Sequence, residues 1–207
     1  MEIDLIIFDC DGVLFNSKTA NIKYYSKIIS FFDRGPLTED EIEYIHCHTA
    51  VESIKYLFRY NPNFINLALE KALTVDYSDF LKYLELEPGW QDLILNYRPP
   101  IKTAISTNRS TTMPKLVEIF ELDKWFDLIV SALDVRNPKP DPEGVFLILD
   151  KLNIKKDRVV YIGDSHVDEE IAKNADIKFI SYKNPNLNAD IYIDNFYQLK
   201  EKLFVFK

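Results

Sequence analysis

Apolar residues along the chain follow two patterns, and the change between them divides the sequence. Leu5-Ile6-Ile7-Phe8 is a continuous apolar run without polar alternation. Such a run predicts a strand buried on both faces, as in a parallel sheet. Similar runs recur at Ala104-Ile105, Leu128–Val130, Val159–Ile162, Phe179-Ile180 and Ile191–Ile193. Helical patterns lie between most of them, including Lys115–Phe120 and Val145–Leu149. Strands alternating with helices predict an α/β fold with a doubly wound parallel sheet.

Residues 16–87 read differently, because strand patterns are missing there. Thr38-Glu39-Asp40-Glu41 and Thr49-Ala50-Val51-Glu52 both have capping-box spacing. After the second box, Val51, Ile54, Leu57 and Phe58 are expected to share one helix face. Asn61-Pro62 and Pro88-Gly89 break the pattern. The stretch therefore reads as a small all-helical domain, 16–87, inserted into a core made of 1–15 and 88–207.

Composition narrows the partners. The chain has 207 residues, enough for a sizeable core plus an insert. Its net charge is 25 − 33 = −8, without a basic run, which argues against nucleic acid as a partner. Such a chain repels anions at long range, so a bound phosphate needs local positive groups. Cys10 and Cys47 form neither a disulfide framework nor a zinc-type pair, and a reducing cytosol is the expected compartment. No apolar run approaches the roughly 20 residues of a membrane span. The acidic start, Met1-Glu2-Ile3-Asp4, is unlike a signal peptide and fits a cytoplasmic location. The pattern is silent on oligomeric state. The 14 Phe and 12 Tyr suit packing within core and insert better than aromatic recognition.

Ligands of open α/β sheets bind beyond the carboxyl ends of the strands, and four such ends are polar here. Asp9-Cys10-Asp11-Gly12 follows the first run. Carboxylates there suit a hard cation, and an ionised Asp can attack phosphorus; a plain Asx-type turn is the structural alternative. Ser106-Thr107-Asn108 follows the second run, where hydroxyls and N–H groups can hold a phosphate or simply cap a helix. Asn137-Pro138-Lys139-Pro140-Asp141-Pro142 stiffens the backbone about Lys139. Asp141 is expected at the N-cap of the next helix and Pro142 at its first position. Gly163-Asp164-Ser165-His166-Val167-Asp168 follows the strongly apolar Val159–Ile162. Its acids could serve a cation or simply the helix dipole.

In order and combination these four segments resemble the haloacid dehalogenase-like (HAD) hydrolase superfamily. Asp9-x-Asp11-Gly12-Val13 matches its first motif, Thr107 (or Ser106) its second, Lys139 its third, and Gly163-Asp164-x-x-x-Asp168 its fourth. Pro88-Gly89 and the helical insert match the branch of the phosphoglycolate phosphatases and β-phosphoglucomutases. The resemblance implies a Rossmann-like core with a helical C1-type cap, and a phosphatase acting on a small phosphorylated metabolite. Asp9 would be the nucleophile, and Mg²⁺ would be held by Asp9, Asp164 and the backbone carbonyl of Asp11, with Asp168 in support. Asp11 would protonate the leaving oxygen and then activate water. Thr107 and the Asn108 N–H would hold phosphoryl oxygens, and Lys139 would offset their charge and orient Asp9. Thr107 is preferred to Ser106 because Thr-Asn-basic is frequent in this branch.

Dehalogenases of the same superfamily do not use an acid at the position of Asp11, so Asp11 favours phosphate over halide. A phosphomutase of the β-phosphoglucomutase type and a non-catalytic binding module share the fold and remain as alternatives. His46 and His48 fall where related caps carry a substrate-selecting loop, or in a solvated connection between helices. His166 is expected at the surface, and Cys10 is not expected to act in redox chemistry. Hinges of cap movement are expected near Phe15–Ser17 and Glu87–Gly89. The motifs do not name the substrate: phosphoglycolate, sugar phosphates and nucleoside monophosphates all carry the required ester.

Overall fold

A computed structural model describes residues 3–202. Residues 1–2 and 203–207, which the sequence pattern assigns to the core, lie outside the described residues. From the N-terminus the elements are β1 (Leu5–Phe8), β2 (Phe15–Asn16), α1 (Lys18–Ile29), α2 (Glu39–Cys47), α3 (Ala50–Leu57), α4 (Ile65–Thr74) and β3 (Glu85–Leu86). Then follow α5 (Trp90–Tyr97), β4 (Lys102–Ser106), α6 (Met113–Phe120), β5 (Leu128–Val130), α7 (Glu143–Leu152) and β6 (Val159–Gly163). The last are α8 (His166–Ala175), β7 (Lys178–Tyr182), β8 (Ile191–Ile193) and α9 (Leu199–Lys202). The chain forms two compact units, Met1–Phe15 with Leu86–Lys207, and Asn16–Glu85.

In the first unit six strands form one sheet in the order β5-β4-β1-β6-β7-β8, and every adjacent pair is parallel. All four side chains of β1 are buried, which is why its sequence lacks alternation. Leu5 and Ile7 pack with Val145, Ile148 and Leu149 of α7 and with Ile171, Ala172 and Ala175 of α8. Phe8 meets Phe126 and Phe196, and Trp90 of α5 packs on Phe126. Truncating such a buried ring costs about 3–5 kcal/mol, so β1 anchors whatever follows it.

Strand order also locates the site. The chain leaves β1 toward β4 and β5, then returns to the other side of β1 to lay down β6, β7 and β8. The reversal falls between β1 and β6, and crevices open at the carboxyl ends of such a pair. Register brings Phe8 level with Ile162 of β6 and Ile105 of β4. The residues just beyond are Asp9, Gly163-Asp164 and Ser106-Thr107.

The second unit holds α1–α4 and three short 3-10 turns around Ala20, Tyr24, Ile28, Ile45, Ile54 and Leu57. Aromatic packing continues there, with Tyr24 against Tyr77 and Phe32 against Phe58. Both capping boxes form: Thr38 and Glu41 start α2, and Thr49 and Glu52 start α3. One expectation for α3 is corrected. Ile54, Leu57 and Phe58 are buried, but Val51 is 48% exposed, because at the first turn its side chain falls outside the buried arc of the helix. The stretch is also not wholly helical, since Asn16 and Glu85 belong to the two-residue strands β2 and β3, which pair with each other.

Candidate active site

Asp9 stands one residue past β1, and its N–H still donates to the Ile162 carbonyl of β6 at 2.9 Å. The chain then turns back sharply. Gly12 N–H donates to Phe15 O at 2.7 Å, and the N–H groups of Leu14 and Phe15 both donate to Cys10 O. Gly12 has φ +81°, and a Cβ placed on it would lie 1.9 Å from Asp164 Oδ2. Glycine is thus required twice here, for the left-handed turn and for the approach of the Asp164 carboxylate. Gly163 has a similar duty, since its Cβ would lie 2.2 Å from Asp168 Cβ.

Asp168 is fully buried, and it holds two readings that the sequence left open. It completes a capping box with Ser165 at the start of α8, Oδ2 accepting from Ser165 Oγ at 2.6 Å. Its Oδ1 accepts from Lys139 Nζ at 2.7 Å and from Tyr161 Oη at 3.1 Å. One carboxylate therefore caps a helix and fixes the buried lysine.

Lys139 spends its three N–H bonds on Asp9 Oδ1 at 2.7 Å, Asp168 Oδ1 at 2.7 Å and Tyr161 Oη at 3.0 Å. In this arrangement it orients Asp9; the direct phosphate contact expected of it requires exchange of one of those bonds. The proline-flanked loop differs from expectation by one residue. Helix α7 starts at Glu143 with Pro142 at its N-cap, yet Asp141 Oδ1 still accepts the Glu143 N–H at 2.9 Å, as a capping side chain would.

At the end of β4 the two candidate hydroxyls part. Ser106 Oγ faces Gly144 of α7, at 3.5 Å from where a Cβ would stand. Thr107 Oγ1 accepts the Arg109 N–H at 3.1 Å, which directs its own proton elsewhere. Asn108 Nδ2 donates to Lys139 O at 3.1 Å, joining this loop to the lysine loop. Asp11 Oδ1 accepts from Arg109 Nη2 at 2.6 Å, with both side chains largely buried. Sequence reasoning passed over Arg109 and Tyr161. A basic residue after Thr-Asn was the available signal for Arg109; Tyr161 sits in an apolar strand and gave none.

Electrostatics sets these groups apart. Burial, then the charge of Asp168, pushes the Asp9 carboxyl up to about 7, and Lys139 only partly opposes this. The same causes raise Asp164 well above the usual carboxylate range. Burial works against the Lys139 ammonium, but Asp168 and Asp9 outweigh it and hold it charged. When all four acids are ionised, Asp9, Asp11, Asp164 and Asp168 face Lys139 and Arg109 with a deficit of 4 − 2 = 2 charges, and burial without a further cation disfavours that state at Asp9 and Asp164. Carboxylate oxygens of Asp9, Asp164 and Asp168 lie within 4.8 Å of one another. Hard oxygen donors with two unbalanced charges fit a divalent cation. Both oxygens of Asp168 already accept bonds, Oδ1 from Lys139 and Tyr161 and Oδ2 from Ser165, whereas Lys139 holds Asp9 through Oδ1, so Asp9 and Asp164 could offer oxygens to a cation.

Cys10 is buried, and burial with the charge of Asp11 pushes its thiol well above its ordinary value, so it stays an unreactive thiol. His166 is exposed and faces Glu169. In the second unit His46 Nδ1 lies 3.5 Å from Asn21 Nδ2. His48 closes α2, its ring stacked on Tyr44 at 3.8 Å.

The model of the haloacid dehalogenase-like hydrolase family matches residues 6–182, which include all four strand ends. Pyrophosphatase PpaX of Listeria welshimeri is 32% identical over 184 residues, 84% of this chain and 81% of that protein. The phosphorylated carbohydrates phosphatase of Thermotoga maritima is 29% identical over 187 residues, 86% of this chain and 84% of that protein. A crystal structure of a HAD-superfamily hydrolase of subfamily IA, variant 1, from Geobacter sulfurreducens superposes with a TM-score of 0.77. It is 29% identical and covers 97% of this chain and 96% of that one. Among the described residues no helix is long and apolar enough to cross a membrane.

Proposed function

The chain belongs to the haloacid dehalogenase-like hydrolase family, and on that premise we propose that it is a magnesium-dependent phosphatase using Asp9 as covalent nucleophile. The observation that carries this reading is the Asp9 carboxylate, buried at the reversal of the sheet and held by Lys139 at 2.7 Å. The substrate class is a small phosphorylated metabolite. Pyrophosphate and sugar phosphates head the candidates, because relatives are named for such compounds. Reduced thiols at Cys10 and Cys47 suit a reducing cytoplasm.

Chemically, Lys139 fixes the rotation of Asp9 so that a carboxylate oxygen meets phosphorus in line with the leaving oxygen. The new Asp9 O–P bond forms as the ester P–O bond breaks, and Asp11 gives its proton to the leaving oxygen. Asp11 then takes a proton from water, which attacks the phosphoaspartate and restores Asp9. The Thr107 hydroxyl and the Asn108 N–H hold phosphoryl oxygens throughout. Asp9, Asp164 and the Asp11 carbonyl would hold Mg²⁺, whose charge offsets that of the phosphoryl group. Asp168 acts by keeping Lys139 in place.

A panel of phosphorylated metabolites with Mg²⁺, read by released phosphate, tests this directly. Release from at least one ester or from pyrophosphate by the wild type, absent in Asp9→Asn, is the expected result. Hydrolysis surviving in Asp9→Asn would overturn the assignment of the nucleophile.

A further inference from the structure

Arg109 lies beyond the motif residues, and its side chain is nearly as buried as that of Lys139. Its guanidinium reaches two groups in different segments. Nη2 donates to Asp11 Oδ1 at 2.6 Å, and Nη1 donates to Thr112 Oγ1 at 3.2 Å, just ahead of α6. Its backbone is fixed as well, since the N–H donates to Thr107 Oγ1 and the carbonyl accepts from Ala132 at 2.9 Å. Asp11, by contrast, sits in the tight turn after β1, tied to Phe15 by an isolated bridge. A short carboxylate on a turn is aimed by whatever binds it, and a planar guanidinium binds it directionally.

We propose that Arg109 is a positioning residue for Asp11: by tethering one carboxylate oxygen to a rigid loop it aims the group that transfers protons in the reaction. The inference rests on the proposed acid–base role of Asp11. Arg109 binds the Asp11 carboxylate directly, so its effect on the reaction runs through Asp11. The expected consequence depends on the leaving group. An alkoxide must be protonated as it departs, whereas p-nitrophenolate departs without help, so misplacing Asp11 harms the first kind of ester selectively.

The test compares kcat/KM for an alkyl phosphate and for p-nitrophenyl phosphate in the full-length protein with Mg²⁺. Arg109→Gln should lose about tenfold or more on the alkyl ester and less than about threefold on the aryl ester, in line with the cost of a small misplacement. Added to Asp11→Asn, it should cost little more, because the two residues act as a unit. Arg109→Lys should recover only part, since an ammonium cannot fork between Thr112 and Asp11. Thr112→Val, which loosens the guanidinium but keeps its charge, should show the same selectivity more weakly, and it serves should the Arg109 variants fail to fold. Equal losses on both esters, a rise in KM with kcat unchanged, or full additivity with Asp11→Asn would each overturn the proposal. If Asp11→Asn alone left alkyl ester hydrolysis intact, the acid–base role itself would fall, a result distinct from failure of Arg109.

Discussion

Glu41 in the helical unit and Asp9 in the core unit are both buried carboxylates, yet their surroundings are opposite. Glu41 accepts the Thr38 N–H at 3.1 Å and pairs with Arg34 and with Arg59, the latter at 3.2 Å. Burial opposes its ionised form, but the Thr38 N–H and the Arg34 charge outweigh burial and hold it below the usual carboxylate range. Asp9 has one cation, Lys139, which it shares with Asp168, and it is pushed up to about 7. A structural acid is buried together with its countercharge. The acid proposed as nucleophile is left short of positive charge, and that shortage is what a cation and a phosphoryl group could exploit.

The contrast can be broken most forcefully at Asp9. Asp9→Asn should lower kcat by at least about a thousandfold, the scale seen when a nucleophile is removed. The same variant should melt higher than wild type in metal-free buffer, because a carboxylate short of countercharge has been neutralised. A lower melting temperature would mean that the Lys139 pair outweighs the repulsion.

Gly12→Ala should come next, with a loss of about a hundredfold in kcat/KM and weaker Mg²⁺ activation, since the new Cβ must displace Asp164. Mg²⁺ titration of the activity checks it; wild-type activation would show that Asp164 is not a ligand.

Titration separates the two acids by pH. From pH 4 to 7 the unfolded chain releases the Asp9 proton while the fold keeps it, so metal-free stability should fall over that window and level off above pH 7. Added Mg²⁺ should stabilise more at pH 8 than at pH 5, because it competes with that proton. Glu41, held low, contributes stability that is lost only as pH falls below the ordinary glutamate value of 4.5. Thermal melts across pH with and without Mg²⁺ read both. A Mg²⁺ shift independent of pH would contradict the assignment of Asp9 as ligand.

The smallest effect is expected at Glu41 itself. Glu41→Gln should cost about 1–2 kcal/mol, because its arginine partners are partly solvated, and should leave kcat unchanged. A change in kcat would show that this acid is more than structural.

How much of this was legible in the sequence depended on distance along the chain. The apolar runs mark β1, β4, β5, β6, β7 and β8, because strands buried on both faces need no polar positions. Both capping boxes of the helical unit were equally visible, since their bonds close within three residues. Val51 was misplaced because periodicity does not show where the first turn of a helix leaves the buried arc. At the site, the acids and Lys139 could be named from their motif spacing. Their bonding could not: Thr107 and Ser106 are adjacent and similar, and only the packing of α7 against β4 turned one hydroxyl toward Gly144.

By itself, then, the sequence determined the strands of the six-stranded sheet, the capping boxes of α2 and α3 and the four polar strand ends, because each depends on neighbours a few residues away. Tertiary structure alone decided that Lys139 meets Asp9 across 130 residues and that Arg109 meets Asp11 across 98. It also decided that Tyr161, an ordinary strand residue by pattern, joins Lys139, Asp168 and the Ser106 carbonyl. These bonds join strand ends that become neighbours only through the order of a parallel sheet. Burial there removes water as a competing partner, so the balance of charge is set by the residues the fold gathers, not by those the chain places side by side.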